Sequence, residues 1–484
     1  MVLGAESDSM AVKDDEAEIL KEEGKLGLEG FSNEEVDSDS TFHPLAPPDE
    51  VFDVWTTIDP CYIISSIRKI IPRDSSTDDG VNRTNHSLIG EDLDQRETET
   101  NINEVWEEFG CVLWDLSANS EHAEFMVQNF TIDVLLANLV VAQSLRVKEI
   151  CLGIIGNLAC HEVPMKQLSS NNTLQQVIVE QLFLDDTRCL SETFRILSFT
   201  LQSSDSNPWI VALSSEQTLF RISWIMENTL NAMLLEKSVE LLLVILENKH
   251  KLFDLLTILK KFDLSKILID LLSSEVTHLS TQRLPERFSV LDVILRTVEA
   301  LSITENFSEE VSSNRKLIEL LVEIIKLPDK IEVANPCVTA VVLFSNILSD
   351  VCDVAANLST NVTFIEGVVD IFPLASTDCE ARSAIWCVLA RLLREVKEDD
   401  LVRESLRDYV MLLCDKVELI EDDLLNEEEG ISIGNVTRQA RISALRKIES
   451  LVNRWVVLEN HVGGDDEDHA NIANLLNCCC KYTS

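Results

Sequence analysis

The stretch Glu149–Cys160 reads EICLGIIGNLAC, and it decides the fold class because it is apolar around most of a helical circumference. At 100° per residue, its aliphatic side chains cover one broad arc. The remaining arc holds the small residues Gly153, Gly156 and Cys160 together with the amide Asn157. Two glycines inside a helix cost roughly 1 kcal/mol each relative to alanine. The pattern therefore predicts that a neighbouring helix or a bound chain approaches this backbone closely.

Composition favours helices throughout the chain. Of the 484 residues, 45% are hydrophobic, which is enough for a large core. Only 14 glycines and 11 prolines are present, which leaves little room for the many turns of a β-sandwich or barrel. No alternating strand pattern of useful length occurs.

Helix-period sequence runs almost without interruption from Glu104 to Asn460. The segments predicted to be helical are 104–118, 131–142, 145–160, 172–184, 187–202, 216–229, 231–247, 262–273, 286–303, 314–327, 336–350, 360–371, 379–396, 402–419 and 436–458. The long apolar members recur every 42 to 56 residues, near the ~40–47-residue period of HEAT and armadillo units. We therefore predict an all-α, armadillo- or HEAT-like superhelical repeat array.

Shifts in composition divide the chain into five parts. We expect a disordered acidic N-terminal tail, a helix ended by Pro72, an acidic flexible linker, the repeat domain and a disordered C-terminal tail. Their bounds are 1–47, 48–71, 72–103, 104–460 and 461–484. Ser38, Ser75 and Ser76 lie in acidic surroundings that acid-directed kinases favour, which makes them candidate phosphorylation sites.

The charge balance excludes whole classes of partner. The net charge is −44, and residues 1–53 alone carry 16 acidic and 3 basic side chains. Nucleic acid and anionic membranes are disfavoured because both need an excess of lysine and arginine. The acidic surface instead predicts protein partners, with basic or extended peptide segments among them.

Several features predict an intracellular protein. No secretory signal opens the chain, and no apolar run approaches the ~20 residues of a membrane span. Most of the 13 cysteines are single residues on apolar helix faces, as in reducing compartments. We expect the nucleus, the cytoplasm or both.

No catalytic, cofactor-binding or metal-binding motif is recognisable. Cys151, Cys160 and His161 match no compact zinc spacing. The run Cys478–Cys480 is expected to lie in the exposed tail. Five tryptophans at helical spacing are predicted to be core residues: Trp106, Trp114, Trp224, Trp386 and Trp455.

Two segments carry a family resemblance. Residues 103–130 contain Trp114-Asp115-Leu116-Ser117, and residues 145–160 contain the Glu-Ile-Cys-x-Gly-Ile-x-Gly-Asn-x-Ala-Cys pattern. In these segments the chain resembles the serum-amyloid-A-like protein family, over residues 50–250. The resemblance implies an armadillo-type scaffold without enzymatic activity, largely nuclear in animals and linked to cell proliferation.

In a scaffold of this kind, Asn157 is the leading candidate for partner binding. The further candidates are Gly153, Gly156 and Asn346. An asparagine on a groove-lining helix can hydrogen-bond the backbone of an extended peptide. The alternative is that Asn157 satisfies neighbouring groups in the core, since buried amides must be bonded. The sequence favours the seam between two repeats slightly over the floor of a groove.

The main prediction is a non-enzymatic scaffold for protein interactions, and two other binding functions compete with it. One is an armadillo-type chaperone cofactor that accelerates nucleotide exchange. The other is an importin-like adaptor, which needs a repeated Trp-x-x-x-Asn pattern. That spacing occurs here only at Trp224 and Asn228, so the adaptor is disfavoured.

Overall fold

Every regular element in the described part of the chain is a helix. The computed structural model describes residues 58–72, 91–248, 253–397, 401–428, 435–459 and 466–483. Two helices come first, α1 (Pro60–Lys69) and α2 (Glu91–Leu116), and six groups of three helices follow. The prediction of an all-α, armadillo-like array is confirmed.

Each group supplies one helix to each of three layers. The first-layer helices have five to nine residues and are α3 (Ser120–Gln128), α6 (Glu162–Ser170), α9 (Asn207–Leu213), α12 (Phe253–Leu259), α15 (Ser308–Ser312) and α18 (Cys352–Leu358). The second-layer helices are α4 (Thr131–Val141), α7 (Asn172–Glu180), α10 (Glu216–Asn228), α13 (Leu264–Thr281), α16 (Arg315–Ile325) and α19 (Val362–Val369). The third-layer helices are α5 (Leu145–Leu158), α8 (Thr187–Gln202), α11 (Ala232–Glu247), α14 (Phe288–Ser302), α17 (Ala334–Asp350) and α20 (Cys379–Glu395).

The third layer forms the spine of the array. Helix α2 packs on α5, each third-layer helix packs on the next one, and α20 packs on α23 (Asn435–Glu459). The run Leu241–Leu246 of α11 shows the consequence, because all six side chains are at most 5% exposed. A helix that is apolar nearly all round can be buried this completely only with neighbours on several sides.

Four of the six second-layer helices begin at a side-chain cap, whereas α4 and α13 begin without one. Asn171, Ser215, Asn314 and Asn361 each accept a hydrogen bond from the backbone N–H three residues later, at 3.0 to 3.1 Å. Such caps stabilise a helix by about 1 kcal/mol relative to alanine. They explain why a new helix starts at the same place in successive groups.

The predicted helices agree with those observed in the second and third layers to within a few residues, except that α13 continues to Thr281 where the prediction ended at 273. The first layer is absent from the prediction, because none of its six helices coincides with a predicted segment. Helices of five to nine residues are too short to show a 3.6-residue period over an 11-residue window. The first-layer helix of each group could therefore not be detected by pattern analysis.

The C-terminal end also differs from expectation. Helices α21 (Arg403–Asp415) and α22 (Val417–Glu428) divide the single helix predicted over 402–419. Residues 466–483, predicted to be part of a disordered tail, form helix α24 (Asp466–Thr483), which packs on α21, α22 and α23. Cys478 and Cys479 are buried rather than exposed. With Ile472 and Leu475 they form a stripe at helical spacing that the surrounding polar residues obscured.

The acidic linker is likewise shorter than predicted, because α2 already begins at Glu91. The remaining N-terminal predictions fall mostly outside the described residues. These are the tail 1–47, most of the linker 72–103, and the phosphorylation candidates Ser38, Ser75 and Ser76.

A buried ion pair ties the last complete repeat to the C-terminal helices. Arg382 of α20 donates from Nε to Oδ1 of Asp423 and from Nη2 to its backbone oxygen, both at 2.6 Å. The Trp386 indole N–H donates to the other carboxylate oxygen at 2.8 Å. Both charged side chains are at most 10% exposed, so neither has water as a substitute partner.

We expect Asp423→Ala to lower the free energy of unfolding by about 3–5 kcal/mol, because it leaves the Arg382 guanidinium buried without a counter-charge. Urea unfolding followed by circular dichroism measures the loss. The matched control is Asp422→Ala, which removes an exposed carboxylate from the same helix. Equal effects of the two substitutions would contradict this role.

Candidate functional site

Asn157 lies in a polar seam between α2, α5 and α8. Its Nδ2 donates to the backbone oxygen of Trp114 at 3.0 Å, and its Oδ1 accepts from Nη1 of Arg195 at 3.1 Å. Arg195 also donates to the backbone oxygen of Gly153 at 3.0 Å and pairs with Glu192 of its own helix. Both ends of the amide therefore bond within the chain.

The two glycines of α5 allow this close approach. A Cβ atom on Gly153 would overlap the Trp114 indole, and one on Gly156 would overlap the Arg195 guanidinium. Both glycines are buried. Of the two readings that the sequence left open, this geometry favours the seam between helices over the floor of a groove.

Asn346 occupies the equivalent place in α17. It is the thirteenth residue of its helix, as Asn157 is of α5. Its Nδ2 donates to Oγ of Ser302 in α14 at 3.2 Å. The four residues predicted to bind a partner thus lie in helix–helix contacts, and their partner-binding role stays a prediction.

The Trp224 and Asn228 pair lies in a different layer. Both residues belong to α10, and Asn228 donates to the backbone oxygen of Trp224 at 2.8 Å. The Trp224 ring is 44% exposed and carries the Arg221 guanidinium 4.8 Å from its centroid. The prediction that Trp224 is a core residue is wrong, whereas Trp106, Trp386 and Trp455 are buried and Trp114 is half-buried.

The third layer opens into a cleft at its centre. The cleft lies between α8, α11 and α14, has a volume of about 210 Å³ and is open to solvent. Its ten lining residues are Gln202, Glu236, Glu240, Leu243, Val244, Glu247, Ser289, Asp292, Val293 and Arg296. We call this feature the central cleft. Four carboxylates and one guanidinium give its wall a net negative charge.

The charged groups of the central cleft are incompletely paired. Glu240 bonds Lys237 of its own helix at 2.7 Å, and Glu247 lies 3.6 Å from Arg296. Asp292 differs, because its Oδ1 is sealed from solvent and has no hydrogen-bond partner. Burial raises the pKa of Asp292, and the nearby Arg296 offsets part of that shift.

A second carboxyl group extends this acidic character along α14. Burial raises the pKa of Glu299, and the negative charge of Glu380 raises it further. Buried carboxylates without full pairing are unfavourable for stability, and they concentrate at sites that bind something.

Sequence analysis did not single out the central cleft. Its acidic residues are ordinary members of an acidic chain, so their spacing carried no distinguishing signal. Glu236 and Glu240 are four residues apart on one helix, and Asp292 lies on another helix more than 50 residues away. Only the packing of α11 on α14 brings them together.

Two observations concern the predicted intracellular location, and neither identifies a compartment. The cysteines whose side chains are described are free thiols. Burial raises the pKa of Cys189 to about 12, so this thiol stays protonated and unreactive. In the described part of the chain no single helix is long and apolar enough to cross a membrane, although α3 and α4, bent by 76°, meet the length and composition test together.

Curated relatives match part of this chain. It is 30% identical to Protein SAAL1 of Homo sapiens over 164 residues, which is 34% of this chain and 33% of that protein. It is 31% identical to Protein saal1 of Danio rerio over 160 residues, 33% of each chain, and 26% identical to Protein SAAL1 of Mus musculus over 195 residues, 40% of this chain and 37% of that protein. The predicted resemblance to the serum-amyloid-A-like (SAAL1) proteins is confirmed over about a third of the chain. The matched segments span about a third of the relatives' length, and no family model matches.

Solved structures of repeat proteins are similar in outline. An engineered protein aligns with a TM-score of 0.45 and 14% identity over 87% of this chain and 99% of its own. A designed armadillo repeat protein aligns with a TM-score of 0.40 and 10% identity over 57% of this chain and 98% of its own. Nothing about function follows from likenesses at this level.

We expect Gly153→Ala to lower the free energy of unfolding by about 1–3 kcal/mol, because the added methyl group overlaps the Trp114 indole. In a Trp114→Ala background the same substitution should cost much less. A double-mutant cycle from urea unfolding measures this coupling. Additive effects would show that the close approach of Trp114 does not limit this position.

We expect Asp292→Asn to raise the free energy of unfolding at pH 7 by up to about 1 kcal/mol, because it removes a desolvated charge and keeps the shape. The folded-state pKa of Asp292 is raised, so its favourable protonated form is lost as pH rises through that value. The difference between variant and wild type in urea unfolding should therefore shrink as the pH is lowered through the folded-state pKa of Asp292. Glu319→Gln, on an exposed second-layer position, is the control and should show no such trend.

Proposed function

We propose that this protein is a non-enzymatic scaffold that holds a protein partner against its third-layer helices at the central cleft. The observation that carries the proposal is the central cleft, where an otherwise close-packed row of helices leaves an open, charged space. Arginine hydrogen bonds cross the α5–α8 and α17–α20 seams of the same row. The central cleft instead offers acceptors to a second molecule.

The size of the cleft supports a protein segment over a small-molecule ligand. Small-molecule sites typically occupy ~300–1,000 Å³ and are lined mainly by apolar and aromatic groups. The central cleft has about 210 Å³, and charged residues line much of it. A side chain projecting from an extended segment fits such a space, while the rest of the segment follows the helix row.

The more specific expectations rest on the family resemblance alone. They are a nuclear or cytoplasmic location and a link to the regulation of cell proliferation. The central cleft contains none of the four residues that the sequence predicted to bind a partner, which are Asn157, Gly153, Gly156 and Asn346. Binding at the cleft therefore does not require them. We assign those four residues to the packing of the row.

Site-specific photo-cross-linking in cells tests the proposal. A benzoylphenylalanine residue at Gln202, which is exposed at the edge of the central cleft, should form covalent adducts with other proteins. The matched control places the same residue at Glu319, which is exposed in the second layer. Adducts no more abundant from Gln202 than from Glu319 would contradict a binding face along the third layer.

A further inference from the structure

Arginine side chains bridge two seams of the third layer, the α5–α8 seam directly before the central cleft and the α17–α20 seam farther along the row. Arg195 of α8 reaches across to α5, where it bonds the Gly153 backbone oxygen and the Asn157 side chain. Arg391 of α20 reaches across to α17, where it donates to the Ser345 backbone oxygen at 2.9 Å and to Ser349 Oγ at 3.0 Å. In both seams a guanidinium from one third-layer helix donates hydrogen bonds to acceptors on the preceding third-layer helix.

Neither α11 nor α17 contains an arginine, and of the two only α11 has a carboxylate at the corresponding position. The position equivalent to Arg195, the ninth residue of the helix, is Glu240, and the α11 sequence contains no arginine. Lys237, the cation of α11, bonds Glu240 within the same helix rather than crossing to α8. The Glu240 carboxylate, a hydrogen-bond acceptor, therefore occupies the position in α11 that the Arg195 guanidinium, a donor, occupies in α8.

The next helix does not compensate for the missing donor. Arg296 holds the ninth position of α14, but it lies 3.6 Å from Glu247 near the C-terminus of α11, and both side chains are about half exposed. Glu236 accepts only the Ser289 hydroxyl, at 2.8 Å, among its described partners. Asp292 lines the same space and is only partly buried, and its Oδ1 has no hydrogen-bond partner.

We infer that the central cleft binds an arginine side chain of a partner's extended segment, so that an external guanidinium supplies the kind of donor that Arg195 supplies in the α5–α8 seam. Glu240 and Asp292 are its acceptors. This inference rests on the proposed function and names the chemistry of the partner.

Arginine suits the cleft better than lysine for geometric reasons. A guanidinium presents five N–H donors in a planar fork and is weakly hydrated, so it can bridge carboxylates on two helices. An ammonium group is a compact and strongly hydrated charge, which loses more solvation on entering a partly closed space.

Fluorescence anisotropy with the full chain tests the inference. The probes are fluorescein-labelled peptides (Gly-Arg)4, (Gly-Lys)4 and (Gly-Gln)4, which differ only in the alternating side chain. We expect the arginine peptide to bind at least threefold more tightly than the lysine peptide, and the glutamine peptide not to bind. Equal affinity for the arginine and lysine peptides would overturn the guanidinium assignment.

A charge-matched pair of variants separates the cleft from general acidic attraction. Glu240→Gln with Asp292→Asn should weaken binding of the arginine peptide at least tenfold. Glu227→Gln with Glu319→Gln removes the same charge from exposed second-layer positions and should change the affinity less than twofold. Equal weakening by both pairs, or no weakening by the first, would overturn the site. Circular dichroism confirms that each variant is folded.

Failure here is distinguishable from failure of the scaffold proposal. If Gln202 still forms protein adducts while the first variant pair leaves peptide binding unchanged, the third layer binds proteins without an arginine in the central cleft. If Gln202 forms no excess of adducts, the scaffold proposal itself is contradicted.

Discussion

The third-layer helices carry more apolar surface than one neighbour can cover, and the array follows from this constraint. In α5 and α11 the apolar residues extend around most of the circumference, and nearly all of them are buried. Such a helix is stable only between a preceding and a following copy of itself. The chain therefore repeats, with α2 at one end of the row and α23 at the other. The shorter helices of the first and second layers cover what remains.

Close stacking of this kind creates a second problem, which is the fate of the polar groups between adjacent helices. In the seam around α5, two glycines, one amide and one arginine solve it together. Around α17, Asn346 and Arg391 provide a simpler version of the same solution. The central cleft departs from the pattern, because carboxylates replace the arginine and leave an oxygen of Asp292 without a partner. A buried carboxylate oxygen without a partner costs stability, and perturbed carboxylates of this kind are frequent at binding sites.

The seam around α5 and the central cleft differ in how much of each could be predicted from the sequence. EICLGIIGNLAC was recognisable because its unusual residues are contiguous, and the close approach predicted at Gly153 and Gly156 is present. The identity of the approaching groups, Trp114 and Arg195, was not predictable, since they lie about 40 residues away in either direction. The central cleft had no local signature at all, because glutamates four residues apart are common on solvated helix faces.

The sequence by itself determined the fold class, the repeat length and most of the second- and third-layer helices, because hydrophobic periodicity is a local property that a long helix displays in full. It did not reveal the first layer, whose helices are too short to show a period, or α24, whose apolar stripe is sparse. Only the tertiary structure decided which polar groups meet across the seams and where a seam stays open. These contacts join residues some 40 to 60 positions apart, and their energies depend on distances that only the packing of whole helices sets.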